Sequence, residues 1–583
     1  GEPSLDWLRA GLADMVITTL SGAEGLSVLS RQQLAVYLAR SESGSGDGGI
    51  SGLPAGLRLA GQSRATAVVV GSFARMGESI RVDAQLHDAD SGRLLAGEHL
   101  VAERPEQVLR QVDLMALKLA RHLGVPAAVD DARASLTTAK TDDLEAYRHY
   151  SQALDSANAL RNTEAIELLE KAIALDPGFA MAHARIGYVY ALNWNFGEQA
   201  RPHLEQAYRL MDRLTEKDRL NITAWYAVAN FDFTRAIETY REIVAAYPFE
   251  IEAYQRLASL LNAEGEQMEA IDLLLQALVI DPSSGTIHNS LGGMYSDLGR
   301  HDEAIAAHLR FIDLEPGQAN AHDSLGSSYQ WAGRYEEAEE QFLRALELDP
   351  DFEIAAVHLA NVYYQKGLYR KTIEQLRVYE RLAPTFAERG RALTRMAYVY
   401  SRMGQTEKAR AMAEAILSEF GDPLWSPLHV LLDPEGLAAT EDLADILLFD
   451  DVVERGARPN LSHSSWTLGR LALRAGDVTE ALDRFRATLR MRPLSWDVDP
   501  LQDCLANAYL ELGRFDEAIV EYRRVLRLNP RYPLAHYHLG LALDGKGDAR
   551  ASRDAFAEFL QVWSQADDYL PQVVDAKRRL GVE

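Results

Sequence analysis

The side chains best suited to chemistry are few in this chain, and their spacing does not favour chemistry. Cys504 is the only cysteine, so neither an intrachain disulfide nor a cysteine-based zinc site can form. Its apolar helical surroundings mark it as a small core residue. His536 and His538 stand two residues apart, on different faces of any helix, and read as packing or rim residues rather than metal ligands. Asp497 and Asp499 fall in a loop between helical segments, where a solvated turn is the expected role. Gly545-Lys546-Gly547 imitates a phosphate loop, but its register makes it the turn between two helices. The glycines of SESGSGDGGISG (Ser41–Gly52) belong to a flexible low-complexity loop, not to a strand–helix junction that could cradle phosphate. HExxH, GxxxxGK[ST], GxSxG and CxxC are all missing. The expectation is a chain that is not an enzyme, with no cofactor and no metal.

Bulk properties point the same way. A length of 583 residues exceeds what one hydrophobic core usually serves. With 47% hydrophobic and 25% charged residues, the chain has an ordinary folded, water-compatible composition. A net charge of −26 argues against nucleic acid as a partner and against adsorption onto an anionic membrane. No run of about 18 apolar residues is present, so direct membrane insertion is not expected. The chain starts at Gly1 with no secretory signal. Removal of upstream residues is therefore expected, with a transmembrane segment or output domain possible there. A periplasmic location is favoured over a cytoplasmic one.

The elements that must carry any function announce themselves by period. Pro248, Pro282, Pro316, Pro350 and Pro384 recur at an interval of 34 residues. Within one period, Leu325-Gly326, Tyr329, Gly333, Ala338, Phe342, Ala345 and Pro350 describe two helices. The small residues allow close crossing, Gly333 ends the first helix and Pro350 stops the second. Related spacing appears in Leu291-Gly292 to Pro316, Leu359-Ala360 to Pro384 and Leu257-Ala258 to Pro282. It returns in Leu468-Gly469 to Pro493, Leu505-Ala506 to Pro530 and Leu539-Gly540 to Phe556. This pattern resembles the tetratricopeptide (TPR) repeat family over most of 142–560. The resemblance implies a mainly α fold: a right-handed α-solenoid of roughly ten helix–turn–helix units, each burying its apolar face against its neighbours. Degenerate units lie around Ala165–Pro177, Ile186-Gly187 with Pro202, and Trp225 with Ala236.

The array is expected to occupy 131–420 and 462–565. An irregular helical insert lies between them over 421–461, where Pro423, Pro427 and Pro434 interrupt the pattern, and a charged capping helix covers 566–583. Before it, 1–130 reads as a small α/β domain. Helical spacing of Trp7, Leu8, Leu12 and Met15 leads to a short strand over 26–29 and a helix over 31–40. A helix over 54–61 then precedes strands at 65–74, 80–87 and 93–101, with a turn at Asp90-Ser91-Gly92, and a helix over 105–123. The wording Asp6-Trp7-Leu8, Gly11-Leu12-Ala13-Asp14-Met15, Gly71-Ser72-Phe73 and Asp83-Ala84-Gln85-Leu86 resembles the TolB amino-terminal-like domain, which in bacteria commonly precedes TPR arrays in signalling proteins. That family opens with an apolar strand for which this chain shows no counterpart.

Repeat register then selects the candidate site. The first helix of each unit lines the concave face in TPR arrays, and the positions three before and one after the small residue point inward. With the next turn, these give Gln255, Asn262, Asn289, Asp323, Gln330, Trp331, Asn361 and Tyr364. Amides and a carboxylate suit a peptide backbone, and the aromatics supply anchors. The basic set with which chaperone-binding members clamp a C-terminal carboxylate is not found at these positions. The expected function is a protein- or peptide-binding scaffold, the sensory or interaction region of a bacterial signalling protein. The alternative is a self-associating envelope or assembly protein.

Overall fold

Apolar alternation in the N-terminal region becomes a sheet. In the computed structural model, the described residues are 7–21, 26, 28–29, 34, 52–63, 65–77, 79–103, 106–124, 141, 143–158, 161–192, 197–248, 250–383, 386–420, 458–491 and 502–582. The chain divides into two units, Gly1–Leu260 and Leu261–Glu583.

In the first unit, α1 (Trp7–Ser21) and α2 (Leu53–Ser63) precede β1 (Ala67–Met76), β2 (Ser79–Asp88) and β3 (Leu94–Ala102), and α3 (Glu106–His122) follows. The strands form one antiparallel sheet in the order β1-β2-β3, with Ala84 opposite both Gly71 and Glu98. Ile80, Val82, Ala84 and Leu86 of β2 are buried at the period of two that a one-sided sheet requires. They share a core with Leu8, Leu12 and Met15 of α1 and Val108, Val112, Met115 and Leu119 of α3. The expected boundaries lie within two residues of those observed, because the binary pattern and the Asp-Ser-Gly turn both mark them. The short strand expected over 26–29 differs: Leu26, Val28 and Leu29 lie outside any strand. Leu26 and Val28 instead pack near Leu20, Ala116, Ala120 and Val69.

Helical hairpins follow: α4 (Leu144–Asn158) with α5 (Asn162–Leu175), α6 (Ala180–Leu192) with α7 (Gly197–Leu210), and α8 (Glu216–Ala229) with α9 (Phe233–Ala246). The sheet's core runs into them without a break, through Tyr147, Tyr150, Leu169, Phe179 and Ile186. The division between the units falls inside α10 (Ile251–Glu264).

The second unit begins with α11 (Gln267–Ile280). Hairpins then pair α12 (Gly285–Asp297) with α13 (His301–Leu314), α14 (Ala319–Trp331) with α15 (Tyr335–Leu348), α16 (Glu353–Gln365) with α17 (Tyr369–Leu382) and α18 (Phe386–Arg402) with α19 (Thr406–Phe420). After the undescribed 421–457, which contain most of the expected insert, α20 (Arg458–Ala475) pairs with α21 (Val478–Met491). Then α22 (Cys504–Glu511) pairs with α23 (Phe515–Leu528), α24 (Pro533–Lys546) with α25 (Ala549–Val562), and α26 (Pro571–Leu580) closes the series. Residues 31–40 are described only at 34, and 41–51 together with Asp497 and Asp499 lie outside the described residues. Among the described residues, no helix is long and apolar enough to cross a membrane.

The hairpin geometry explains the residue choices. A Cβ on Gly326 would sit 2.7 Å from the Phe342 ring, so only glycine lets α14 and α15 cross this closely. At Gly333 the backbone turns left-handed (φ +72°), and Arg334 N–H returns to the Tyr329 carbonyl at 2.8 Å, the six-to-one bond that seals a helix end. Arg334 then covers the Tyr329 ring at 4.5 Å and pairs with Glu337 at 2.8 Å. The same ring contact recurs at Tyr295/Arg300 and Tyr509/Arg514.

Within the second unit the late hairpins dock on the early ones. Tyr335 Oη donates to the Arg531 carbonyl at 3.1 Å, and Asn529 Nδ2 donates to the Gln330 carbonyl at 3.3 Å. Trp563 Nε1 donates to the Gln365 carbonyl at 2.7 Å, and the Asp567 amide to the Gly367 carbonyl at 3.1 Å. A single apolar core accordingly joins residues of α15–α18 to residues of α20–α26. The fold is thus a mainly α solenoid of successive hairpins preceded by a small antiparallel sheet.

Candidate functional site

The predicted stripe is divided by burial inside the second unit. In the first unit, Gln255 on α10 is part exposed. In the second, Asn262, Asn289 and Trp331 are part exposed, whereas Asp323, Gln330, Asn361 and Tyr364 are buried. Asp323 holds His358 Nδ1 at 2.9 Å, which makes that nitrogen the protonated one. Gln330 donates to the Gln365 amide oxygen at 3.2 Å. The Tyr364 ring lies stacked 5.1 Å from Tyr369, and burial holds its phenol well above the usual range. These groups stabilise the interior of their own unit. The part-exposed members of the stripe there are Asn262, whose Nδ2 donates to Asp297 at 3.3 Å, Asn289, and Trp331, which also packs on the core, beside Gly293, whose surroundings leave space for a Cβ.

Asn289 also shows how the stripe is held. His308 Nε2–H donates to its backbone carbonyl at 3.2 Å, while His308 Nδ1 receives the Ser328 hydroxyl at 2.7 Å. Ser296 lies 3.2 Å from Ser328. The pairing suits the neutral ring protonated at Nε2, and burial pushes its pKa down to about 4.

A second constellation, in the first unit, was missed by sequence reasoning. On α6, Arg185 and Tyr188 meet Trp225 of α8 and Glu252 and Arg256 of α10. The Tyr188 and Trp225 rings lie 4.5 Å apart. The Arg185 guanidinium stands 5.5 Å from the Tyr188 centroid and 5.6 Å from that of Trp225, and the Arg256 guanidinium stands 5.3 Å from that of Tyr188. Arg256 Nη2 donates to the Tyr188 hydroxyl at 2.7 Å, and that hydroxyl donates to Glu252. Register held part of the signal, since Tyr188 follows the small Gly187 as the rule requires. Trp225 sits in a unit too degenerate to be aligned by eye.

Chemistry of other kinds finds little support. Among the described residues, no three His, Cys, Asp or Glu side chains gather as metal ligands would. His536 Nε2 bonds the Pro530 carbonyl at 2.9 Å, as His183 does with Pro177 at 3.1 Å, so these imidazoles tie down inter-repeat turns. Cys504 is buried and its thiol is pushed far up by burial, which keeps it unreactive. Gly547 is the left-handed residue ending α24, the turn expected from its register.

The fold defines a helical-repeat protein, and comparison with known families makes that specific. Tetratricopeptide repeat profiles match residues 223–285 and 467–498, 286–318, 319–352 and 391–422, and a further TPR repeat profile matches 506–547. These stretches of the chain are tetratricopeptide repeats. A protein of Rhizobium meliloti (strain 1021), provisionally described as adenylate cyclase 3, is 26% identical over 245 residues, which span 39% of this chain and 38% of that protein. The Photosystem I assembly protein Ycf3 of Synechococcus sp. (strain WH7803) is 25% identical over 131 residues, 21% of this chain and 75% of that protein. Among solved structures, MamA aligns with TM-score 0.25 and 23% identity over 28% of this chain and 91% of its own. The Cut9–Hcn1 assembly of the APC/C aligns with TM-score 0.43 and 15% identity over 81% and 82%.

Proposed function

We propose that this chain is a non-catalytic scaffold that recognises protein or peptide partners along the first-helix face of its repeats. The observation that carries the proposal is the part-exposed stripe of Asn262, Asn289 and Trp331 next to the open backbone at Gly293. The Asn289 amide offers a donor and an acceptor to an extended chain, Asn262 is held in place by Asp297, and the indole edge offers an anchor. TPR arrays in general serve protein interaction, which supports this reading. The finer reading, a sensory or interaction region of a bacterial signalling protein with a TolB-like first domain, draws on the motif wording at 6–15 and 71–86. Local similarity to a protein described as a cyclase also supports it. Domain limits near 130, 420, 461 and 565 belong to the same proposal.

Panning a random-peptide display library against the full chain tests the scaffold. Recovered peptides are expected to lose about tenfold in affinity on Asn289→Ala or Trp331→Ala. Failure to recover any binder, or binders indifferent to both changes, would overturn it. The coding sequence flanking these residues tests the signalling part, where a kinase, cyclase or winged-helix domain is the expected neighbour.

A further inference from the structure

We propose that the outward face of the second helices α11, α13 and α15 docks a basic amphipathic helix, a partner segment with leucine-type side chains along one face and lysine or arginine beside them. The surface lies outside the first-helix stripe, so the proposal does not depend on the groove described above.

The repeats themselves supply the comparison. Leu275, Leu309 and Leu343 recur at 34 residues, each the ninth residue of its helix. They are 43%, 45% and 44% exposed. In six other hairpins the ninth residue of the second helix is charged and exposed: Glu170, Arg241, Arg377, Glu414, Arg486 and Arg523. Three consecutive repeats of the second unit place leucine where the rest of the array places a charge. Core packing does not account for them. The residue before each leucine, Leu274, His308 or Phe342, is the one that is buried.

Stacking of successive repeats sets the three leucines in a row. On α11 the apolar surface also runs along the helix, through the exposed Met268 and Val279. On α13 and α15 it narrows to one side chain, because the matching positions are Asp302 and Asp313, then Glu336 and Glu347. A narrow apolar line between polar flanks suits the stripe of an amphipathic helix better than the broad face of a globular partner.

Charge selects the occupant. Arg310 and Arg344 are the only lysine or arginine residues on the three helices. Each is paired on its own helix, with Asp313 at 3.8 Å and Glu347 at 2.8 Å. Asp272 and Glu340, three residues before Leu275 and Leu343, are exposed and enter no ion pair among the described residues. A second copy of this face would meet like charge, and so would an anionic membrane. Lysine or arginine beside the partner's leucines answers both carboxylates.

The test uses the full chain and a labelled leucine–lysine peptide of about 18 residues, five turns with leucine on one helical face. Fluorescence anisotropy compares it with a leucine–glutamate peptide of the same pattern. The basic peptide is expected to bind about tenfold more tightly than the acidic one. The triple change Leu275→Gln, Leu309→Gln and Leu343→Gln should weaken it about tenfold, because the apolar contacts go while every charge stays. Asn289→Ala should leave it unchanged, which separates this surface from the groove. Circular dichroism confirms that the variants are folded, as the charged residues at this position in other repeats lead one to expect. Equal binding of the two peptides overturns the proposal. A basic peptide indifferent to the triple change reports charge attraction alone and overturns it too. So does a basic peptide that does not bind, while the groove reading stands or falls by its own panning experiment. A dimer seen by light scattering and broken by the triple change would make a second copy the occupant, and would overturn the proposal in the same way.

Discussion

At the scale of single residues, most side chains that invite a catalytic reading are structural, and the physical reasons differ. His308 is held neutral by burial, with one nitrogen donating to a carbonyl and the other facing the Ser328 hydroxyl. Cys504 is inert because burial disfavours its thiolate. Glycines sort in the same way. Gly326 and Gly293 both lie in first helices, but an added Cβ would press on Phe342 at the first and meet nothing within 4 Å at the second. Gly326→Ala is therefore expected to destabilise the second unit by about 1–3 kcal/mol through overpacking. Gly293→Ala should stabilise it by about 1 kcal/mol, the helix-propensity gain at an open position. Urea denaturation of the two variants checks both signs. If they behaved alike, the close crossing of α14 and α15 would be wrong.

At the scale of elements, local order was legible and long-range docking was not. Strand and helix limits in 1–130 follow a binary pattern that the eye can count, as with Ile80, Val82, Ala84 and Leu86. Repeat hairpins follow from small residues and helix-ending glycines at a fixed period. The stripe from Gln255 to Tyr364 was found by the same register, yet Asp323, Gln330, Asn361 and Tyr364 turned out to be buried. Register states which face a residue occupies within its own unit, and says nothing of what later covers that face. Asp323 is covered from the next repeat by His358, and other contacts join residues nearly two hundred positions apart, such as Gln365 with Trp563 and Gln330 with Asn529. These distant contacts lie at turns, where no periodic pattern marks them. Trp563→Phe probes this seam, since it keeps most of the ring volume and removes the indole N–H that meets the Gln365 carbonyl at 2.7 Å. A loss of about 1–3 kcal/mol is expected. Hydrogen exchange should show the Asp567 amide, bonded to the Gly367 carbonyl, losing protection first, while amides within α12 and α13 keep theirs. Unchanged exchange at Asp567 would mean that the seam does not depend on this bond.

At the scale of the molecule, buried titratable groups shape how stability varies with pH, and two kinds oppose each other in the second unit. The His308 pKa falls from 6.5 to about 4 on folding. Its stabilisation is complete above about pH 6.5 and is lost as the pH falls through that value towards 4, because the unfolded chain then binds the extra proton. The Asp503 pKa rises from 3.8 to about 6, chiefly through desolvation, and one of its carboxylate oxygens has no hydrogen-bond partner. Its contribution runs the other way: complete below pH 3.8, lost as the pH rises to about 6, and absent beyond. Asp297, also raised to about 6, joins Asp503, and His538, lowered to about 3, joins His308, so between about pH 4 and 6 the opposing slopes of the two kinds largely cancel. Asp503→Asn keeps the shape and removes the charge that must be desolvated. The variant is expected to exceed the native protein in stability by about 3 kcal/mol at neutral pH, an upper figure set by the size of the shift. The gain should shrink to nothing near pH 4, and the variant should lose stability on acidification from about pH 6.5, as the protons that unfolding adds at His308 and His538 outweigh those that it releases at Asp297. Calorimetric midpoints across this range decide the matter. A gain that did not vary with pH would assign the effect to packing and not to the buried carboxylate.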